Sequence, residues 1–502
     1  MKRLLTALLI AGAFALNLQA HSAGKARRVV KEVSHSEPFK SSVLGVLAVN
    51  MAGDTLVSLN SGTRMNPAST LKLVSTGLAL CSLGPDYRFE TSLAYDGTIC
   101  DSTLTGNLYI VGGGDPTLAS GDSIALPTPR LFASWKKMLE EAGIFRIEGK
   151  VVGDGRYFDG EYEHPNWQYQ DLGTYYATGC NGLCFYRNKQ DIEVAAGEAE
   201  GNTVTIGEIY PKTPWIHYSG SWTTGPAGSG DKLYLYTSTL SREARMRGTF
   251  ALDRPAKAEE CSNKFPALTC AYMFSEYLKS EGIPVSLDAA DLAPSGLIRP
   301  ISLIPQTSCL MSGPEFTKIG STLSPALRDI AKIILWRSDN LYSEAIFRAN
   351  GKSVSGSASY EESSKVAIEQ LKDLGINIDG IRIDDGSGLS RENFVTPAFM
   401  CSFLRAMWNS PAKEAFVSSI GRPGEGHYKA RLKKEKKQLK ERILYKSGSM
   451  GGVQCFSGYI LPGDGNPQKT ITFAVMLGNC TAPHKEYIGA IDRIVAAIAS
   501  EN

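Results

Sequence analysis

Histidine is scarce in this chain of 502 residues, and the usual metal-binding patterns are absent. The six histidines are scattered, and the sequence has no Cys-x-x-Cys pair, no His-Glu-x-x-His string and no His/Cys cluster. Metal sites usually show such spacing, because several ligands must reach one ion. We therefore expect neither a metal nor another cofactor.

Long apolar runs are missing after the N-terminus. No later stretch approaches the roughly 18 unbroken apolar residues that indicate a membrane-spanning helix. The start resembles an export signal: Lys2 and Arg3 are followed by an uncharged apolar segment, 4–16, and by Leu-Gln-Ala at 18–20. A membrane anchor is the alternative, but the apolar run is too short to span a bilayer comfortably. We predict a cleaved signal peptide at 1–20, a periplasmic protein and no stable membrane anchor.

An excess of either charge is also absent. The chain has 53 Lys and Arg against 51 Asp and Glu, and removing the predicted signal leaves 51 of each. This balance predicts no attraction to nucleic acid and no polybasic attachment to a membrane. The exception is the Lys-rich stretch 429–442, where a solvated face is favoured over a binding patch.

The mature chain of about 480 residues is longer than a single core usually supports, so two or three domains are expected. Ten cysteines permit disulfides in an exported protein. Cys180/Cys184 and Cys261/Cys270 are candidate pairs by proximity, although spacing cannot fix connectivity. Buried thiols are the alternative.

Two regions of the chain differ in their predicted secondary structure. The region 87–317 is typical of an α/β domain with a β-rich insert. The C-terminal part predicts strands at 443–447, 453–461 and 470–477, then a helix from about Tyr487. This order indicates an α+β fold in which an antiparallel sheet carries helices on its faces.

One serine has the surroundings that nucleophilic chemistry needs. In the segment 66–72 (Asn-Pro-Ala-Ser-Thr-Leu-Lys), Asn66 is a good N-cap and Pro67 fits the first helical position. Ser69 and Lys72 then share one helix face, where the amine can take the hydroxyl proton if its pKa is lowered. The helix N-terminus also favours a developing oxyanion.

A Ser-x-x-Lys string is weak alone, because Ser134…Lys137 and Ser410…Lys413 match it too. Ser-x-Asn occurs more than once, with 58–60 and 338–340 among its matches, whereas Lys-Ser/Thr-Gly occurs once, at 446–448. Class A β-lactamases and penicillin-binding proteins use Ser-x-x-Lys, Ser-x-Asn and Lys-Thr-Gly in that order. The ordered set that starts at Ser69 satisfies this pattern.

The second string is predicted to lie in a turn after a helix that ends near Arg337. There, Ser338 can relay a proton to the leaving amine. Asn340 can hydrogen-bond the substrate backbone or Lys72. The turn is therefore a candidate part of the same active site.

The third string is predicted to lie on a strand. Lys446 and Ser447 can bind a terminal carboxylate there, and Gly448 lets the substrate approach the strand closely. The backbone N–H of Ser449 is a candidate second oxyanion donor beside that of Ser69.

These motifs resemble those of the D-alanyl-D-alanine carboxypeptidase/endopeptidase family, the class C low-molecular-mass penicillin-binding proteins. The resemblance extends beyond the three strings to further segments that are spread over most of the mature chain. Further similar segments lie at 67–73, 112–118, 171–176, 338–344 and 385–391. The long gap between Ser69 and Ser338 is also similar, since members insert two domains there.

The resemblance implies a fold, a reaction and residue roles. The fold is a serine β-lactamase/transpeptidase-like domain with a large inserted region. The substrates are peptidoglycan stem peptides ending in D-Ala-D-Ala, cleaved through an acyl-enzyme that β-lactam antibiotics inhibit. The resemblance implies that Ser69 is the nucleophile and Lys72 its base. It implies that Ser338 and Asn340 are the proton relay and the positioning group. Lys446 and Ser447 would together bind the terminal carboxylate as a clamp.

The resemblance also implies domain boundaries. Residues 21–86 and 318–502 would form the catalytic domain. An inserted domain II would comprise 87–162 and 261–317, with a nested domain III at 163–260.

Asp154 resembles an inserted-domain aspartate that some members use toward the amine of a diaminopimelic side chain. The match is loose, and an aspartate with a purely structural role in a turn is equally plausible. The third motif departs from the family in being Lys-Ser-Gly, although the hydroxyl is kept.

Three other readings compete. A class A β-lactamase needs a glutamate-held water, and no Glu-x-x-x-Asn segment is convincingly placed. A Ser-His-Asp hydrolase lacks its Gly-x-Ser-x-Gly elbow. A catalytically inactive peptidoglycan-binding protein would not be expected to keep all the reactive residues.

Overall fold

The structure is a computed structural model that describes residues 24–292, 298–300 and 316–501. The predicted signal peptide at 1–20 lies outside these residues. Within the described part of the chain, no helix is long and apolar enough to cross a membrane.

The helices of the described residues include eleven α-helices and four short 3-10 helices. The α-helices are α1 (24–35), α2 (Lys72–Ser82), α3 (Thr128–Glu141), α4 (Pro266–Ser280), α5 (Leu327–Arg337), α6 (Asn340–Ser355), α7 (Tyr360–Asp373), α8 (Pro397–Trp408), α9 (Lys413–Ser418), α10 (Lys437–Glu441) and α11 (His484–Ala499). The 3-10 helices are Ala68–Leu71, Tyr186–Asn188, Gly426–Tyr428 and Pro467–Lys469.

The strands form several separate sheets. They are β1 (Val43–Asn50), β2 (Thr55–Leu59), β3 (Glu90–Tyr95), β4 (Thr98–Cys100), β5 (Thr103–Thr105), β6 (Leu108–Val111), β7 (Arg146–Glu148), β8 (Val151–Asp154), β9 (Lys189–Ala195), β10 (Thr205–Tyr210), β11 (His217–Gly220), β12 (Thr223–Gly225), β13 (Tyr234–Tyr236), β14 (Glu243–Arg247), β15 (Thr249–Ala251), β16 (Lys257–Ser262), β17 (Ala290–Leu292), β18 (Ile298–Pro300), β19 (Thr317–Leu323), β20 (Ile443–Met450), β21 (Val453–Ile460) and β22 (Ile471–Gly478).

The chain divides into two compact units. Among the described residues, the first unit contains those up to Pro85, Ala331–Ser338 and those from Ser364 onward. The second contains Asp86–Ile330 and Asp339–Ser363.

The first unit is built on a five-stranded antiparallel sheet in the order β2-β1-β22-β21-β20. One face packs against α1 and α11, because α11 places Tyr487, Ile491, Ile494 and Ile498 on a single helical stripe. The central strands are buried along almost their whole length. They are therefore covered on both faces.

The opposite face of this sheet packs against α8. The hydroxyl of Tyr459 on β21 donates to the carbonyl of Leu404 on α8 at 2.7 Å, and its ring lies 5.3 Å from that of Trp408. Helix α2 lies against α8, because Gly77 leaves room for the side chains of Phe403 and Met407. Helices on both faces of an antiparallel sheet confirm the predicted fold class for this unit.

The second unit contains a six-stranded mixed sheet in the order β18-β17-β8-β6-β3-β19. Its strands β17, β8 and β6 are parallel, and the remaining pairs are antiparallel. Helices α3 and α4 pack on it through a core that includes Trp135, Leu139 and Phe274. This part has the α/β character predicted for it.

A second core in the same unit is built from β-strands and the loops that connect them. Strands β9, β10 and β16 form one small sheet, and the short strands β11 to β15 form two more. The apolar side chains of these strands and of the loops between them, Phe250 and Trp222 among them, form a cluster separate from that of α3 and α4. The β-rich insert expected in the middle region is therefore present, while the boundary between inserted domains II and III stays a prediction.

The division differs from the predicted catalytic segments at two places. Residues 339–363, which include α6, belong to the second unit. The reason is Arg348 on α6, which is fully buried and donates to the carbonyls of Glu161 at 3.1 Å and Cys180 at 2.8 Å. Residues 318–330 also belong to the second unit, because β19 pairs with β3.

The candidate disulfides were wrong. The nine cysteines within the described residues are free thiols. Cys261 lies in the β-strand core and Cys270 in the core of α3 and α4, so the two pack in different places. The Sγ of Cys184 instead donates to the carbonyl of Asn181 at 3.0 Å.

Candidate active site

The nucleophile candidate lies in a tight turn rather than in the first turn of an α-helix. Residues Ala68–Leu71 form a 3-10 helix, Pro67 is its N-cap, and α2 begins only at Lys72. Asn66 is therefore not the N-cap that the sequence predicted. Its Oδ1 instead accepts from the N–H of Ala68 at 2.8 Å. Ala68 has a left-handed φ of 45°, a strained conformation of the kind found at functional sites.

Ser69 and Lys72 are brought together as predicted. The Nζ of Lys72 lies 3.0 Å from the Oγ of Ser69. Lys72 is fully buried, and its Nζ also donates to the carbonyl of Ser387 at 2.7 Å. The amine therefore lies within direct proton-transfer distance of the hydroxyl.

A second lysine–serine pair lies in the same unit. The Nζ of Lys446 on β20 donates to the Oγ of Ser338 at 2.8 Å. Ser338 follows the end of α5 in a two-residue turn, as predicted, and has a left-handed φ of 64°. Burial, together with the positive charge of Lys72, holds the pKa of Lys446 well below its ordinary range. The two lysines are thus close enough for the charge of Lys72 to lower the pKa of Lys446.

Strand β20 carries the third motif directly past the nucleophile. A side chain at Gly448 would have its Cβ 2.7 Å from the amide nitrogen of Ser69 and 2.7 Å from the carbonyl oxygen of Pro67. Glycine is needed here for contact with the nucleophile turn itself, whereas the sequence suggested room for a substrate. Ser447 is half-buried and Ser449 is exposed on the same strand.

Asn340 begins α6 and lies in the second unit. Its Nδ2 donates to the carbonyl of Tyr176 at 2.8 Å. Asp339 caps the same helix, since its carboxylate accepts from the N–H of Tyr342 at 3.0 Å. These bonds fix the start of α6, which directly follows Ser338 in the chain.

Asp154 ends β8 in the second unit, rather than lying in a turn before a strand. Its two carboxylate oxygens accept from the Nε of Arg156 at 2.9 Å and from its Nη2 at 2.6 Å. The side chain is only 5% exposed. A second cation beside Arg156 would be repelled, so the pairing favours the structural alternative for Asp154.

The Ser-x-x-Lys strings at 134–137 and 410–413 are not arranged for catalysis. The hydroxyls of Ser134 and Ser410 donate to backbone carbonyls one helical turn earlier, at 2.6 Å and 2.9 Å. Lys137 pairs with Glu141 at 3.5 Å, and Lys413 lies over the ring of Trp408. Each of these lysines is thus engaged away from its serine.

The lysines of the stretch 429–442 lie mostly at the surface, which fits a solvated face and a binding patch alike, so the solvated face stays a prediction. Lys433, Lys434, Lys436 and Lys437 are exposed, and Lys440 is half-buried.

Residues 27–297 and 303–498 match the profile of the D-Ala-D-Ala carboxypeptidase 3 (S13) family. The chain belongs to this family. Membership confirms the resemblance drawn from the motifs, and with it the prediction of a serine peptidase.

Two relatives align with the S13 chain over most of its length. A D-alanyl-D-alanine carboxypeptidase from Actinomadura sp. strain R39 is 24% identical over 471 residues, which is 91% of this chain and 81% of the relative. The D-alanyl-D-alanine carboxypeptidase DacB from Haemophilus influenzae is 25% identical over 482 residues, covering 94% and 93%.

Solved structures show that the fold is shared. Penicillin binding protein 4 (dacB) from Haemophilus influenzae superimposes with a TM-score of 0.77 at 22% identity, covering 93% of this chain and 97% of that one. A structure of the same protein complexed with a β-lactam gives a TM-score of 0.71 at 21% identity, with the same coverage.

One part of the site was not identified from the sequence. The carbonyl of Ser387, which accepts from Lys72, is a backbone atom and has no residue-type signal. The segment 385–391 was noted only for its family resemblance. The folded structure shows that this segment contacts the turn that carries Ser69.

Proposed function

We propose that this S13 family member is a periplasmic serine-type D-Ala-D-Ala carboxypeptidase/endopeptidase. Its substrates are peptidoglycan stem peptides, cleaved through an acyl-enzyme on Ser69. The observation that carries this proposal is the paired geometry of the first unit, with Lys72 at 3.0 Å from Ser69 and Lys446 at 2.8 Å from Ser338.

Acylation begins when the Lys72 amine accepts the hydroxyl proton of Ser69. The Ser69 oxygen attacks the carbonyl carbon between the two D-alanines and forms a tetrahedral oxyanion. Collapse of that intermediate breaks the C–N bond and leaves an ester on Ser69. The proton that Lys72 accepted passes through Ser338 to the leaving nitrogen, and D-alanine departs as the free amino acid.

Strand β20 supplies binding and electrostatic stabilisation. Lys446 and Ser447 hold the terminal carboxylate of the substrate, whose negative charge favours the protonated form of Lys446 despite its burial. The N–H groups of Ser69 and Ser449 donate to the oxyanion. The approach of β20 at Gly448 to the Ser69 amide supports this pairing of donors.

Deacylation returns the enzyme to its starting state. Water attacks the ester carbonyl, a proton passes back to the Ser69 oxygen, and the shortened peptide leaves as a carboxylic acid. In the endopeptidase reaction the leaving amine belongs to a cross-bridge rather than to D-alanine. A β-lactam follows the same acylation, but its leaving nitrogen stays tethered in the site and obstructs the water.

The experiment measures release of D-alanine from a diacyl-L-Lys-D-Ala-D-Ala peptide. We expect hydrolysis by the wild type, little reaction with the matched L-Ala-L-Ala peptide, and loss of at least about 10³-fold in Ser69→Ala. Ser134→Ala is the matched control, because it removes a serine of the same string and should retain full activity. Undiminished hydrolysis by Ser69→Ala would refute the proposal.

A further inference from the structure

The loop 385–390 lies against the nucleophile turn. Gly388 has a left-handed φ of 81°, and a Cβ there would lie 2.0 Å from the carbonyl oxygen of Ala68. The carbonyl of Ser390 accepts from the Nδ2 of Asn66 at 3.3 Å. These contacts flank Ser69 on its N-terminal side, so any shift of the loop meets the nucleophile turn directly.

Asp385 organises this loop from within. Its side chain is fully buried, and one carboxylate oxygen accepts from the N–H of Gly388 at 2.7 Å and from the Nδ2 of Asn393 at 2.9 Å. The other oxygen accepts from the N–H of Ser390 at 2.6 Å. A buried carboxylate that accepts at least three hydrogen bonds is costly to disturb, so the loop has one strongly preferred shape.

The shape of the loop determines where the carbonyl of Ser387 points. That oxygen accepts from the Nζ of Lys72 at 2.7 Å, while the same Nζ lies 3.0 Å from the Oγ of Ser69. A neutral amine has two N–H bonds and one lone pair. When the carbonyl holds one N–H, the nitrogen is oriented so that its lone pair can face the Ser69 hydroxyl.

We propose that Asp385 is a positioning residue of the acyl transfer. Its carboxylate shapes the loop that delivers the Ser387 carbonyl to the Lys72 amine. Asp385 acts through the backbone and through Lys72, and it does not touch the reacting atoms itself. The inference rests on the proposed role of Lys72 as the base.

Asp385→Asn tests this role, because it keeps the size of the side chain and replaces an acceptor oxygen by an amide that donates. The measurement is benzylpenicillin acylation of the full chain by stopped flow over a range of drug concentrations. This separates the dissociation constant of the initial complex from the acylation rate constant. The rate constant is read from the time course, so it does not depend on the fraction of folded molecules.

We expect the acylation rate constant of Asp385→Asn to fall about 10- to 100-fold, a part of what a positioned general base contributes. The dissociation constant should stay within about two-fold, because the loop contacts the base and not the carboxylate clamp. Asp379→Asn is the matched control, since it removes an exposed carboxylate six residues earlier and should acylate like the wild type.

Gly388→Ala should also lower the acylation rate constant, because it leaves Asp385 intact but forces the loop away from Ala68. An unchanged acylation rate constant in Asp385→Asn would overturn the positioning role. A loss confined to binding of the drug would overturn it as well. Failure of the wild type to acylate at all would instead refute the proposed function.

Discussion

Arg187 and Asp339 form an ion pair, with the Nη2 of the arginine 2.7 Å from the carboxylate oxygen. Asp339 is 2% exposed at its side chain and lies between Ser338 and Asn340 in the second motif. Arg187 belongs to a run of three left-handed residues, 186–188, with φ of 51°, 57° and 51°. Such a run costs about 1–2 kcal/mol per residue. The pair therefore joins a strained turn of the inserted region to the cap of α6.

Removing Arg187 should weaken both the fold and the motif. In Arg187→Ala the nearly buried Asp339 loses a charged donor, which should lower the free energy of unfolding by about 1–3 kcal/mol. Because Asp339 adjoins Ser338, acylation by benzylpenicillin should also slow. Denaturant unfolding and acylation kinetics of the same preparation check the two effects. An unchanged unfolding midpoint would contradict the importance of the pair.

Asp115 makes stability depend on pH in the direction opposite to most carboxylates. Burial raises its pKa from 3.8 to about 6, although its Oδ1 accepts from the N–H and the hydroxyl of Thr117. The folded state therefore binds more protons than the unfolded state between these values, and this contribution is lost as pH rises through about 6. The loss is about 3 kcal/mol at most, since one pKa unit corresponds to about 1.4 kcal/mol.

Asp115→Asn keeps a carbonyl oxygen for the Thr117 bonds and has no charge to bury. We expect the variant to melt at a higher temperature than the wild type at pH 7.5, and the gap to narrow at pH 4.5. Thermal unfolding at both pH values is the measurement. A gap that is the same at both would contradict the cost of ionising Asp115.

Asp154→Ala distinguishes the two roles considered for that residue. Because both of its oxygens hold Arg156, we expect a lower melting temperature and equal loss of turnover on diaminopimelate-containing and minimal D-Ala-D-Ala peptides. Arg156→Ala should behave in the same way. Selective loss on the diaminopimelate peptides alone would restore the recognition role.

The sequence predicted those parts of the site that depend on short local strings. Ser69, Ser338 and Lys446 could be found because each motif needs only three or four neighbouring residues and their order along the chain. The helix start was placed wrongly at Asn66, because the strained φ of Ala68 follows from packing against the loop at Gly388.

Long-range backbone contacts account for the other differences. Arg348 draws α6 into the second unit through carbonyls at 161 and 180, which have no signal in the sequence. Arg187 and Asp339 are 152 residues apart, so their pairing could not be read from spacing. The contact of the Ser387 carbonyl with Lys72 also joins residues far apart in the sequence, so spacing could not predict it.

The most direct test of the account locates the adduct that benzylpenicillin leaves on the protein. Trypsin cleaves after Arg64 and Lys72, so Ser69 lies in the peptide 65–72, whereas Ser134 and Ser410 lie in the peptides 131–136 and 406–413. We predict one long-lived penicilloyl group per chain, located on 65–72, absent from Ser69→Ala and formed much more slowly in Lys72→Ala. A label on either other peptide, rapid turnover of the drug, or no adduct would contradict the assignment of Ser69 as the nucleophile of a penicillin-binding carboxypeptidase.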